Sequence, residues 1–240
     1  MSVLPRSARL VAWGNATLSG ATSLDEATDR ITADEPAHRV SGLPGQASPI
    51  GISLALGALR VHGVVALRLV LPVPGDPTGL PGPPAVNAIA VDAGEAAITV
   101  GGRSLALVPS GHGTWQAYDM APASSSVPTV AEAERMLADE LWECAAELGR
   151  LDVARWGPEA ASLLADRTRT SAPALPGSYP PRAHALLAQA LRIASVAALA
   201  RRSEGAAVSA SEIGQRSAVL DRLATASRRA LEAACNNAPV

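Results

Sequence analysis

Residues 98–119 read ITVGGRSLALVPSGHGTWQAYD, and this stretch decides the fold class. Ile98 and Val100 flank Thr99, a Gly101-Gly102 pair follows, and Leu105 and Leu107 then alternate with Ala106 and Val108. Two period-two runs around a Gly-Gly pair signal a hairpin, because glycine reaches positive φ without steric cost. Ser110-Gly-His-Gly113 reads as a second turn and leads into a strand from Thr114 to Asp119. Strands joined by such short turns run antiparallel.

Upstream, the same period continues. Ile50, Ile52, Leu54 and Leu56 alternate with Gly51, Ser53, Ala55 and Gly57, which predicts a strand with one large apolar face and one nearly bare face. After a turn near His62-Gly63, Val65, Leu67, Leu69 and Leu71 alternate again. Residues 86–97 carry alanines that suit a helix, while Gly94 and the alternating Ile89 and Val91 allow a strand, and a short helix is expected there. The total is an antiparallel sheet of four or five strands. Residues 4–34 predict two short helices, the second opening on Ser23 with Glu26 at capping-box spacing and ending before Pro36.

Downstream of about residue 120 the pattern turns helical. Leu137, Leu141, Cys144, Leu148 and Leu151 fall at heptad spacing. Gly157-Pro158 opens a further short helix, and residues 168–181 form a Pro-rich connector. Long helices are expected from Pro181 to about Ser203 and from about Ser209 to Ala234, the second presenting Ile213, Leu220, Leu223, Ala224 and Leu231. Strand runs followed by helix runs predict an α+β fold: a helical pair and sheet over 1–120, then a C-terminal helical bundle over 121–240.

The chain has 240 residues, is 48% apolar and 18% charged, and carries a net charge of −2. It contains no lysine, which excludes Schiff-base and P-loop chemistry. Cys144 and Cys235 stand apart with no metal-type neighbourhood, which points to a reducing, cytoplasmic setting. The N-terminus lacks an uninterrupted apolar run, so no signal peptide is expected. The apolar stretch 50–71 is broken by Arg60, His62 and Arg68, so no membrane span is expected there either.

Candidate chemistry is sparse. Ser110, His112 and Asp119 form the one local Ser/His/Asp grouping, since an imidazole can serve as base to a hydroxyl, but no G-x-S-x-G elbow accompanies it. Arg103 is the candidate for holding a ligand near them. His38, His62, His112 and His184 fall at no metal-ligand spacing, so neither metal nor cofactor is expected. His38 and His62 are read as loop and turn residues. The Gly- and Pro-rich loop 75–84 lacks the N–H donors of a phosphate cradle and reads as a stiff connector. Trp13, Trp115, Trp142 and Trp156, in a chain without Phe, are the expected core anchors. Residues 180–240 hold eight Arg against four acids. That density is too spread for a nucleic-acid patch, although DNA binding stays as a second alternative. The favoured function is a non-enzymatic interaction or regulatory protein with a homo-oligomeric or protein partner. The first alternative is a small-molecule-binding domain or enzyme with a site between sheet and helices.

Overall fold

The hairpin that decides the fold class is formed by β4 (Ala96–Val100) and β5 (Leu105–Gly111), with Ile98 opposite Ala106. In this computed structural model, residues 4–33, 35–123, 127–150, 175–202 and 210–238 are described. The turn is longer than two residues. Gly101 and Gly102 both have positive φ, and the Thr99 hydroxyl closes the loop by accepting from Leu105 N–H at 2.8 Å and donating to the Arg103 carbonyl at 2.7 Å. β6 (Thr114–Asp119) returns along β5 through the turn at His112-Gly113.

The fold is α+β, as the pattern requires. The sheet holds six strands in the order β2-β1-β6-β5-β4-β3, with β1 (Arg39–Ser41), β2 (Ile50–Gly51) and β3 (Ala66–Val70) completing it. It is larger than the four or five strands expected and is not wholly antiparallel, because β1 runs parallel to β6. The helical pair is present as α1 (Arg6–Leu18) and α2 (Leu24–Thr32), with the Ser23 side chain accepting from Glu26 N–H. On one face of the sheet Val70, Ile98, Ala106 and Val108 pack against Val86 and Ala90 of α4 (Pro84–Ala93). The short helix expected after residue 86 is therefore present and ends at Gly94. On the other face lies α1, buried along Ser7–Ala16.

One expectation is overturned. Only Ile50 and Gly51 of the predicted strand 50–57 are extended, and α3 (Ile52–Val61) follows at once. Ile52, Ala55, Leu56 and Leu59 are buried, the i, i+3, i+4, i+7 stripe of a helix, whereas Leu54 is 66% exposed. The same letters satisfy a period of two and a period of 3.6, and burial selects the second.

The open edge of β3 is closed by side chains. The Asn15 carboxamide accepts from Leu67 N–H at 2.6 Å and donates to Leu67 C=O at 2.9 Å. Asn236 does the same for Leu69, at 2.6 and 3.0 Å. Each amide stands where a neighbouring strand's peptide would, which denies the edge to another chain.

Contacts divide the chain into two units: Leu4–Val127 with Leu175–Pro180 and Cys235–Val240, and Met1–Val3 with Pro128–Ala174 and Pro181–Ala234. The described part of the second unit is helical, with α5 (Val130–Arg150), α6 (Pro181–Arg202) and most of α7 (Ala210–Asn236). α5 opens on a full capping box, with Glu132 N–H donating to Thr129 Oγ1 and Thr129 N–H to Glu132 Oε2. Arg222 of α7 bonds Glu140 at 2.7 Å and Glu147 at 2.9 Å on α5. Of the heptad stripe, Leu137 and Cys144 are buried and Leu141 and Leu148 half-buried, while Leu151 lies outside the described residues, as do Trp156, the 157–158 helix start and the first half of the Pro-rich connector. Ile213 is exposed and so does not belong to the buried stripe of α7. Trp142 is no core anchor, because its position on α5 points to solvent and it is 80% exposed, unlike the buried Trp13 and Trp115.

Candidate functional site

The sequence candidates separate along β6. Asp119 sits at its far end and pairs with Arg103, whose Nε and Nη2 lie 3.0 and 2.9 Å away. Ser110 and His112 lie at the opposite end, about 17 Å off at the rise of a β-strand. Ser110 Oγ donates to Thr114 Oγ1 at 3.3 Å, and His112 Nδ1 stands 3.2 Å from Arg6 Nη2. The structure thus pairs Arg103 with Asp119 at one end of β6, while at the other end Ser110 and His112 take different partners, Thr114 and Arg6.

A denser polar cluster forms where α1 begins. Its members are Arg6 and Arg9 on α1, Glu35 and His38 between α2 and β1, and Trp115 on β6. Glu35 receives Arg9 at 2.5 Å and Arg6 Nε at 2.8 Å. Arg6 also donates to the Gly111 carbonyl at 2.7 Å, tying α1 to the β5–β6 turn. Trp115 Nε1–H donates to His38 Nδ1 at 3.2 Å, so the proton of the neutral imidazole sits on Nε2, 3.5 Å from Glu35 Oε2. His38 lies in the loop before β1, as its sequence context suggests, but it is buried there.

The electrostatics follow from burial. Desolvation holds the His38 imidazole below the usual histidine range, against the pull of Glu35. Burial pushes the Glu35 carboxyl up, but hydrogen bonds from Arg9 and Arg6 outweigh it and leave it below the usual range. Burial raises Glu95, opposed by the 2.7 Å bond from Ser7 N–H, through which it caps the first turn of α1. The bonds of this cluster hold α1 to Glu35 and to the β5–β6 turn and His38 to β6, while Arg9 Nε and His38 Nε2 are buried without a hydrogen-bond partner. The spacing of Arg6 to Arg9 and of Glu35 to His38 is visible in the sequence, but nothing there joins the two pairs.

A different surface is open. α3 turns Leu54, Gly57, Ala58 and Val61 away from its buried stripe, with Leu54 and Gly57 exposed and Val61 86% exposed. Val65, beyond the His62-Gly63 turn, is exposed as well. Arg60 is the sole charged residue of the helix and lies on the flank of this face. An ordinary surface helix carries polar residues on its outer side, and an apolar one marks a contact surface.

Among the described residues, no three His, Cys, Asp or Glu side chains are grouped to hold a metal ion. Also among the described residues, one helix, Pro181–Arg201, is long and apolar enough to cross a membrane by length and composition, with a mean hydropathy of 1.5. Two family models match the chain: the N-terminal domain of Rv1486c-like proteins over residues 7–130 and the C-terminal domain of the same proteins over residues 131–232. No curated protein and no solved structure matches it significantly.

Proposed function

The chain belongs to the Rv1486c-like family, and from that premise we propose a non-enzymatic interaction protein that pairs with a second copy of itself through the outward face of α3. The observation that carries this is the apolar outer stripe of α3, where Leu54 is 66% and Val61 86% exposed. Leu54 and Val61 lie at equal distances on either side of Gly57-Ala58. A two-fold axis through that midpoint sets each Leu54 against the Val61 of the other copy, while the small residues let the backbones approach. The same patch thus serves both copies, as an isologous contact needs. The acid–base candidates support the non-enzymatic side, since Asp119, His112 and His38 are held in structural bonds. Neither Cys144 nor Cys235 is in a disulfide, consistent with a cytoplasmic protein.

Sedimentation equilibrium across a concentration series tests the proposal. The wild-type chain is expected to sediment as a dimer, and Leu54→Glu and Val61→Glu as monomers with unchanged helix content. A carboxylate buried without a partner costs about 2 kcal/mol or more, roughly thirtyfold in Kd. A monomeric wild type, or glutamate variants that sediment as the wild type does, overturns it.

A further inference from the structure

We propose that His38 is a pH-sensitive latch that holds β1 and the start of α3 on the sheet while neutral and releases them when protonated. The geometry comes from both sides of the imidazole. Nδ1 is occupied as an acceptor by Trp115 Nε1–H, and Nε2 faces Glu35. A second proton must go to Nδ1, where it would oppose the indole N–H at 3.2 Å, donor against donor, in a place with almost no water. The contact that breaks is the one that ties residue 38 to β6.

The backbone of the same residue is a junction. The His38 carbonyl accepts from Ile52 N–H at 3.0 Å, at the first residue of α3, and Arg39 N–H donates to the Gly113 carbonyl at 2.7 Å as β1 begins. β1 and β2 are three and two residues long, so little ladder stands behind these bonds. Loss of the His38–Trp115 bond therefore loosens the least-supported edge of the sheet and the helix that continues from it.

The charges facing His38 set the direction. Glu35, on its own segment, attracts the imidazolium. Arg6 and Arg9, from α1, repel it and already neutralise Glu35. His112 reaches the cluster through Arg6, and Glu95 faces Arg6 and Arg9 from the start of β4. Burial adds to the repulsion, so the folded protein resists protonation at His38. The unfolded chain takes up its proton near pH 6.5, so between that pH and the lower folded value the unfolded state binds more protons. Stability from this group is complete above about pH 6.5 and declines as pH falls below it. Glu35 stays ionised through that window and contributes its own loss only below pH 4.5.

The experiment compares urea unfolding midpoints of the wild type and His38→Asn from pH 7.5 to 5.0. Asparagine keeps an acceptor for Trp115 but takes no proton. The wild-type midpoint is expected to fall across this window and that of His38→Asn to move by less than half as much. Imidazole NMR of the wild-type chain provides the second readout, with His38 as the Nε2–H tautomer and protonating below 6.5. A pH-independent wild type, an equal slope in His38→Asn, or a His38 that protonates at or above 6.5 overturns the latch. Both readouts are taken in dilute, monomeric conditions, so the outcome is separable from that of the α3 contact.

Discussion

Gly102 shows how a single residue is fixed by something far away in sequence. A Cβ at this position would lie 2.2 Å from the His62 carbonyl oxygen and 2.4 Å from the Gly63 carbonyl carbon, with φ at +54°. These are backbone atoms and cannot rotate aside. Gly102→Ala is therefore expected to cost about 2 kcal/mol or more, the sum of a left-handed backbone and an unrelieved clash. Gly20 is the control: its φ is +78° but nothing lies within 4 Å, so Gly20→Ala costs about 1 kcal/mol. Urea unfolding of the two variants separates the contributions, and equal losses would show that the approach to His62 is not close. The Gly-Gly pair is legible in the sequence as a turn. That the second glycine must be glycine is not, because the reason sits forty residues upstream.

At the scale of the element, α3 is the instructive case. Ile50 to Leu56 alternate as a strand does, yet residues 52–61 form a helix whose inner stripe is Ile52, Ala55, Leu56 and Leu59. The two assignments make opposite demands on adjacent residues. In the helix, Leu56→Ala removes a buried side chain and is expected to cost about 2–5 kcal/mol, while Leu54→Ala stays within about 0.5 kcal/mol of wild type. In a strand the two would be lost alike, since 54 and 56 share a face. Chemical unfolding of both variants in dilute, monomeric conditions decides it. Elsewhere α1, α2, β3, the β4–β5 hairpin and β6 lie where the pattern puts them, and residues 86–97, whose pattern allows either a helix or a strand, hold most of α4 and the start of β4. The parallel pairing of β1 with β6 was not legible, because three residues carry no period and pairing direction is a tertiary property.

For the whole molecule, the joining of chain end to sheet edge matters most. Asn236 lies 167 residues from Leu69, yet its carboxamide satisfies both backbone groups of that residue. Tyr179 donates to the Cys235 carbonyl at 2.9 Å and fixes the segment that carries it, with its phenol held above the usual range by burial. Asn236→Ala is expected to cost about 1–3 kcal/mol, the penalty for leaving a buried donor or acceptor unpaired. Asn15→Ala, more deeply buried, costs at least as much. With both replaced, the open β3 edge becomes a template for pairing, and light scattering is expected to rise with concentration. Single variants as stable as wild type, and a double variant that stays monodisperse, would show that the edge needs no cover.

The sequence by itself determined the class of the fold, the order of helices and most strands, and the helical character of the second half. Those follow from periods of two and 3.6 and from turn and cap residues, all of which act over a few neighbours. It also showed that Ser110, His112, Asp119 and Arg103 were the residues to inspect. Only the tertiary structure decided that Arg103 and Asp119 pair at one end of β6 while Ser110 and His112 take other partners at the other end, that His38 is buried between Glu35 and Trp115, and that α3 is a helix with an apolar outer face. Each of these depends on which residues distant in sequence become neighbours and which lose their water. A one-dimensional pattern carries periodicity, but desolvation and pairing exist only once the chain has closed on itself.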